Sequence, residues 1–469
     1  VIATGRDYAY QQLVFNYLQP RGIKYESINI TGFNDEQVEI LCRKLPEIKT
    51  LLENALLAKL LHIPFFIELA SRAIQNGAVF KVSDGEKEFR KIIWNVVIAN
   101  QTDRKGGMPA RRKATFIGIA KNRAKQMLFG VPEQDFDAEV VSKLEEDHLI
   151  YRDSDKSLVS PVHDVLEDWA LEEFINYEFI KHQTDNNLFL SSIGNEPAIN
   201  RAFRLWLFQR LTYGEDVTDF ISSLLTSDDI EGYWKDETIA AVLQSESPER
   251  FLELLAPKLL GNGCDLFVRF CFILRITCQR PNTLYVKLGE ANSSELINTL
   301  FLQPYGIGWD ALVNFIYEHR SDIPKTINTY IVELLDEWCR LINIDDDLPC
   351  IANKVGLIAL WQLDFVKESY SDDGKKKKIL NTLLKVSPSI EKKFDSLMEQ
   401  DVFVSKQNPR RSHYVDEFTS LVTVGLNVPM LCKRRPKFVI KLAFHEWLLD
   451  ESEEEDAAFR GYQRLDVEE

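Results

Sequence analysis

The chain has 469 residues, of which 45% are hydrophobic and 27% charged, as in ordinary globular proteins. At roughly 100 to 200 residues per domain, this length predicts about three domains. The formal net charge of -16 argues against a general coat for nucleic acid, because phosphate binding requires a basic surface that releases counterions.

Cysteine usage and hydropathy indicate the compartment. The seven cysteines are scattered, with no C-x-x-C motif and no histidine at metal-ligand spacing. This pattern predicts reduced thiols in the protein core rather than a zinc site or a disulfide framework. No apolar run reaches the roughly 18 residues of a membrane span, and no signal peptide opens the chain. We therefore expect a cytoplasmic protein.

The first residues predict the end of a larger domain. Val1-Ile-Ala-Thr-Gly-Arg-Asp7 has the pattern of a buried strand that runs into a polar turn, with no earlier element to pair with. A helix over Tyr8–Leu18 and a short strand over Tyr25–Ile30 follow from their periodicity. Residues 1–30 are thus expected to end an α/β core, and we expect a longer protein to continue before Val1.

Residues 31–84 predict a small all-helical domain. Asn34 and Gln37 form a capping-box pattern, in which each side chain can bond the backbone amide of the other. Apolar residues at helical spacing follow, and further helices are expected at about 47–60 and 65–76.

Residues 85–178 predict a winged-helix domain. A helix is expected over 86–99, and a second one follows the Gly106-Gly-Met-Pro109 loop, where Pro109 suits a first-turn position. A third helix over Asp135–Asp147 leads into a hairpin over 149–159 and a closing helix.

From residue 179 to 469 only amphipathic helical segments are found. Tryptophans recur through this region at irregular spacing. This pattern predicts an irregular helical-repeat solenoid in which the aromatic side chains are packing residues. The clearest segments are Ala202–Leu207, Asp265–Leu274, Ala311–Tyr317, Asn328–Leu341, Ile379–Leu384 and Phe438–Leu449. The predicted fold class is therefore mostly α: the end of an NTPase core, a helical lid, a winged helix and a solenoid.

The stretch SPVHDVLEDW, residues 160–169, places a histidine at the start of the closing helix. Ser160 is expected to cap this helix and Pro161 to occupy its first position. His163 then lies in the first turn, among free backbone amides, where an imidazole can donate to a phosphate oxygen. A surface histidine at a helix start is the alternative interpretation.

Three segments together resemble the nucleotide-binding region of STAND-type NTPases, the NACHT and NB-ARC proteins. The strand and turn ending in Thr4-Gly-Arg6 is similar to their sensor segment, whose arginine faces the terminal phosphate. His62-Ile-Pro-Phe-Phe-Ile-Glu-Leu-Ala70 resembles their G-x-P-L-x-L segment, in which the proline packs on adenine. Val162-His163-Asp164, directly after a hairpin, is similar to their M-H-D motif, whose histidine contacts the β-phosphate of ADP.

The resemblance covers about residues 1–180 and implies a role for three residues. Arg6 would be a phosphate sensor, Pro64 an adenine contact, and His163 the group that holds a closed, ADP-bound state. His62 stands where the family has glycine, and Val162 replaces methionine. The segments around Pro64 and His163, with Arg-Ala-Phe-Arg-Leu-Trp at 201–206, also resemble bacterial STAND proteins of antiviral defence.

The chain lacks the groups that would cradle phosphates and hold magnesium. No G-x-x-x-x-G-K-[ST] loop is present, and no strand ending in paired acids precedes Arg6. The chain alone is therefore not expected to hydrolyse ATP or to hold a cofactor. The resemblance implies ATP or ADP with Mg²⁺ in a longer protein, a protein ligand such as a viral protein sensed by the repeats, and homo-oligomerisation on activation.

Two other classes of protein are considered. A helical-repeat interaction scaffold without nucleotide would leave Arg6 and His163 solvent-facing and far apart. A DNA-binding winged helix would need a basic recognition helix, but the helix after the basic one carries six acids against Lys143. The basic helix is interpreted as a solvated face, or as one that faces the nucleotide-binding half. Its cations are Arg111, Arg112, Lys113, Lys121, Arg123 and Lys125.

Overall fold

Helices account for most of the described chain, as the composition and periodicity predict. The computed structural model describes residues 32–281 except 53, 55, 56 and 82, residues 302–339 and 351–366, and single residues at 21, 375, 378, 379, 382, 436 and 440. The chain divides into two compact units, Val1–Gln209 and Arg210–Glu469. The elements predicted within 1–30 lie outside the described ranges.

The first described region consists of short helices. Their bounds are α1 Asp35–Lys44, α2 Lys49–Leu52, α3 Ala58–Leu61, α4 Pro64–Gln75 and α5 Glu86–Ile93, which continues as a π-helical turn over Trp94–Ile98. The capping box is confirmed: Gln37 N donates to Asn34 Oδ1 at 2.9 Å, and Asn34 N donates to Gln37 Oε1 at 3.0 Å. The continuous helix predicted at 47–60 is wrong. Asn54 interrupts it, because its side-chain amide donates to the carbonyl of Asp84 at 2.8 Å.

Two long helices and a small sheet form the next region. Their bounds are α6 Met108–Gln126, β1 Val131–Pro132, α7 Ala138–Glu146, β2 Ile150–Asp153, β3 Leu158–Pro161 and α8 Asp164–Lys181. The antiparallel sheet has the order β1-β3-β2 and pairs Val159 with both Val131 and Arg152. The first-turn proline of α6 and the hairpin are confirmed. The two-residue strand β1 is too short to give an alternating pattern.

Helix α7 begins three residues later than expected because Asp137 is its N-cap. The Asp137 carboxylate accepts from the amides of Glu139 and Val140. Residues 133–135, which the sequence assigned partly to this helix, form a separate turn of 3-10 helix. Beneath the sheet, the core is apolar, with Phe116, Leu144 and Leu166 fully buried.

The remaining described chain is helical except for one strand pair. The helices are α9 Asn186–Ile193, α10 Pro197–Thr212, α11 Thr218–Thr226, α12 Gly232–Gln244, α13 Pro248–Leu259, α14 Asp265–Thr277, α15 Gly308–Glu318, α16 Asn328–Trp338 and α17 Ala352–Val366. The sequence missed the antiparallel strands β4 Gln279–Pro281 and β5 Leu302–Pro304. Each strand has three residues and ends in proline, so neither carries a strand signal. Of the helices expected at 379–384 and 438–449 the structure describes only residues 379, 382 and 440, each of which is helical, so the bounds of these helices stay predictions.

Aromatic and sulfur-containing side chains fill the interiors. Trp206, Trp234, Trp309 and Trp338 are buried, which confirms the prediction that these tryptophans are packing residues. Cys264, Cys271, Cys278 and Cys339 are buried as well, and burial raises the pKa of the Cys271 thiol far above its usual range. None of the described helices combines the length and the apolar character that a membrane crossing requires.

Candidate functional site

Pro64 begins helix α4, as its place in the sequence predicts. Ile63 is the N-cap with an extended backbone (φ -87°, ψ 120°), and a proline in the first turn sacrifices no intrahelical hydrogen bond. Pro64 itself is exposed, whereas Phe66 and Ile67 in the same helix are buried. The start of α4 therefore remains at the surface while the rest of the helix docks.

His62 holds the entering chain against the start of α4. Its Nδ1 donates to the carbonyl of Phe33 at 2.6 Å, and the amide of Phe33 donates to the carbonyl of His62 at 2.7 Å. Gly32 lies so close that a Cβ there would sit 2.8 Å from the His62 carbonyl oxygen. His62 stands where the similar motif of the STAND family has glycine. Its hydrogen bonds and close packing hold residues 32 and 33 next to the start of α4.

His163 is the N-cap of helix α8, which corrects two expectations. Ser160 and Pro161 belong to strand β3, so neither caps nor opens the helix. His163 has extended backbone angles (φ -144°, ψ 136°), and its Nδ1 accepts from the amide of Val165 at 3.1 Å. A neutral imidazole that accepts at Nδ1 carries its proton on Nε2, so the outer nitrogen is a donor. Sequence reasoning placed this residue three positions too far into the helix because β3 extends through Pro161.

The side chain next to Pro64 stacks on His163. The ring centroids of Phe65 and His163 are 3.9 Å apart, and the ring planes differ by 12°. The structure thus brings the segment of Pro64 and the segment of His163 into contact, although Phe65 and His163 are 98 positions apart in the sequence (163 − 65). Arg6, the third predicted site residue, lies outside the described residues, and its role stays a prediction.

An aromatic cluster lies beneath this contact. Phe66 packs on Trp169 of α8 with centroids 6.1 Å apart, and on Phe89 of α5 with centroids 6.3 Å apart. The guanidinium of Arg90 lies over the Trp169 ring, 5.3 Å from its centroid. Burial of three large rings anchors the first turns of α4 against α8.

The far end of α4 is anchored by a pair of arginines. Arg72 of α4 donates to the backbone carbonyl of Asp147 at 2.5 Å, while Arg112 of α6 donates to the Asp147 carboxylate at 2.6 Å. Arg112 is 1% exposed and also bonds the carbonyls of Val97 and Ile98. Both ends of α4 are thus held by residues of the region that follows it.

The basic face of α6 is only partly solvated, which corrects the first of the two interpretations from sequence; that it faces a nucleotide-binding half stays a prediction. Arg111 pairs with Asp137 and Glu139, Arg112 with Asp147, and Arg123 with Glu167 of α8. Lys121 lies over the Phe174 ring at 4.4 Å, and burial lowers its pKa. The acids in and next to α7, which the sequence indicated as a repulsive surface for phosphates, are partners of these cations, together with Glu167 of α8.

Glu172 connects three helices through its hydrogen bonds. This residue of α8 is 9% exposed and accepts from Arg90 of α5 at 3.3 Å and from the side-chain amide of Gln209 in α10. Burial raises the pKa of its carboxyl to about 7, against the opposing effects of Arg90 and Gln209. Its protonation therefore changes near neutral pH.

The contact between Phe65 and His163 has the chemistry of an anion-binding surface. Helices α4 and α8, of 12 and 18 residues, both begin there, and helix N-termini carry partial positive charge. Asp164 in the same turn opposes an anion, so the dipole alone is a weak attraction. The Nε2 donor of His163 supplies a directed contact, and the exposed Pro64 supplies an apolar one.

No protein-family model matches the chain, and a search of curated proteins finds no significant match.

Proposed function

We propose that this chain is the C-terminal part of a STAND signalling NTPase, in which Pro64 and His163 hold one bound ADP. The observation that carries the proposal is the stacking of Phe65 on His163. It places an exposed proline at a helix start beside a half-buried histidine whose Nδ1 accepts from the helix and whose Nε2 therefore carries the proton. Those are the two positions at which the resembling family contacts adenine and the β-phosphate.

The arrangement of elements supports the same assignment. Helices over 31–84 would form the lid, and the α6, α7, β2-β3, α8 order over 85–178 fits a winged-helix domain with an added strand β1. Residues 179–469 would form the helical-repeat sensor. Because the cations of α6 are engaged by acids and an aromatic ring, this winged helix fits a role in protein and nucleotide contacts better than one on DNA.

The proposed mechanism is a population shift. ADP contacted by both the lid and the winged helix favours a closed state, and a protein ligand that binds the repeats better in the open state shifts the equilibrium towards it. Opening would then permit homo-oligomerisation in the cytoplasm, in a signalling role such as antiviral defence. The proposal assigns the phosphate-binding loop and the magnesium site to another part of a longer protein, since this chain has no such loop.

The experiment compares ADP retention in the protein expressed together with the sequence encoded upstream of Val1. His163→Asn keeps a side-chain acceptor for the N-cap but removes the imidazole donor, so it separates capping from phosphate contact. His163→Ala removes both. His182→Asn, at the C-cap of the same helix, is the matched control.

Loss of ADP in both His163 variants but not in His182→Asn is the expected result. Retention of ADP in His163→Asn with loss in His163→Ala would assign the histidine to helix capping alone. An unmutated protein that never holds nucleotide would leave the interaction scaffold as the better assignment. That second function is favoured by the aromatic packing of the second unit and by the exposed Phe272 and Ile276, one turn apart on α14.

A further inference from the structure

Stacking on Phe65 restrains the χ2 torsion of His163, which the N-cap hydrogen bond does not fix by itself. The χ2 torsion of histidine is broad, so an imidazole is easily tilted. The hydrogen bond from Val165 to Nδ1 holds one edge of the His163 ring. The Phe65 ring lies parallel to it within 12° and 3.9 Å from centroid to centroid, and thereby restrains the plane as well.

We propose that Phe65 is a positioning residue for His163, whose ring holds the imidazole plane so that Nε2–H points at the bound phosphate. The inference rests on the proposed function and names a residue that the resemblance to the family does not assign. Direction matters because a hydrogen bond weakens steeply as its angle falls from above 150° towards about 120°. A donor that is already aligned also loses less conformational entropy on binding.

Phe65 is not required to fill the core. It is only half-buried, whereas its neighbour Phe66 is 7% exposed and makes the contacts to Phe89 and Trp169. Phe65 meets Phe66 edge-on, with ring centroids 5.5 Å apart, and stacks the face of its ring on the imidazole of His163 at the start of a different helix. This division between adjacent phenylalanines separates a packing residue from a residue that acts on the site.

The first measurement needs no substitution. In the protein with its upstream sequence, selectively labelled on histidine and phenylalanine rings, His163 is assigned from the signal lost in His163→Asn. Nuclear Overhauser contacts between the Phe65 and His163 ring protons are expected, together with the upfield shift that a stacked ring causes. Absence of these contacts would overturn the inference.

The second measurement compares ADP affinity among three variants. Phe65→Leu keeps an apolar side chain without a ring, and Phe65→Tyr keeps the ring. We expect Phe65→Leu to weaken ADP binding about 3- to 10-fold, as the value of an aromatic pair implies, and to move the His163 signals downfield. Phe65→Tyr should restore both. Phe80→Leu is the control, since Phe80 is also half-buried and stacks on Phe89, 5.7 Å away, without touching His163.

The outcomes separate the inference from the function on which it rests. If the unmutated protein binds ADP and Phe65→Leu binds it equally well, the positioning role is wrong and the proposed function stands. If Phe65→Leu and Phe80→Leu weaken ADP equally, the effect is general to packing and the positioning role is again wrong. If neither the unmutated protein nor any variant binds ADP, the proposed function fails and the inference fails with it.

Discussion

The two units of the chain bury charged side chains to different extents in the residues that the structure describes. In the first unit, several charged groups are buried between helices: Arg112 is 1% exposed, Glu167 5% and Glu172 9%. In the described part of the second unit the buried charged side chain is Glu337, at 8%, while large aromatic rings such as Trp309 and Trp338 are fully buried, as Phe89 and Phe116 are in the first unit. Ion pairs are directional and costly to break singly, whereas apolar burial depends mainly on area. The first unit should therefore be the more sensitive to conservative changes, such as the loss of a single charge.

The largest effect is expected for Arg112→Met. This change keeps much of the volume but leaves the carbonyls of Val97 and Ile98 without their donor. Removing one partner of a buried pair costs about 3–5 kcal/mol, although the half-exposed Asp147 can recover part of this from water. Hydrogen exchange in α6 and urea unfolding measure the loss. Arg111→Met is the control, because its pairs are partly exposed and screened by solvent, so its loss should be much smaller. Equal losses in the two variants would show that burial does not make the Arg112 interactions more costly to break.

The next effect is a pH dependence carried by Glu172. Its pKa rises from 4.5 to about 7 on folding, so the native state binds the proton more tightly than the unfolded state. The stability that this gives is fully present below pH 4.5 and is lost as the pH rises through 7, in total about 3 kcal/mol.

Urea unfolding of Glu172→Gln should give a free energy of unfolding that lacks this pH dependence. At pH 8 the variant should be more stable than the unmutated protein. Glu146→Gln, at an exposed position on α7, should retain the full dependence. A pH profile that is identical in the unmutated protein and in Glu172→Gln would show that this carboxyl does not titrate in the range.

A smaller effect is expected for Trp309→Phe in the second unit. The indole of Trp309 donates to the carbonyl of Cys278 at 2.7 Å, but that carbonyl also accepts from the amide of Tyr305 at 2.9 Å. Since no acceptor is orphaned, the cost is mainly a small cavity, roughly 2 kcal/mol. Thermal unfolding measures it, with Tyr330→Phe at an exposed position as the control. A loss as large as that of Arg112→Met would remove the distinction between the interiors.

The smallest effect is expected at the surface, for Asn34→Ala. This change removes the Asn34 Oδ1 that accepts from the Gln37 amide, whereas the bond from the Asn34 backbone amide to Gln37 Oε1 can still form, and it should cost about 1 kcal/mol. The loss should appear in hydrogen exchange of α1 and not in α6. Asn34→Ser, which keeps a capping oxygen, should recover most of it, and failure to do so would mean that the cap contributes little.

The amino-acid sequence by itself determined the features that depend on near neighbours. The capping box at Asn34, the first-turn prolines of α4 and α6, the hairpin and most helices follow from spacing, because caps, turns and periodicity act over a few residues. Only the tertiary structure decided which distant groups meet. The stacking of Phe65 on His163, the burial of Arg112 among carbonyls and the pairing of β4 with β5 join residues far apart in the chain. A local pattern carries no information about such contacts, since they form when the apolar faces of separate helices and strands are buried together.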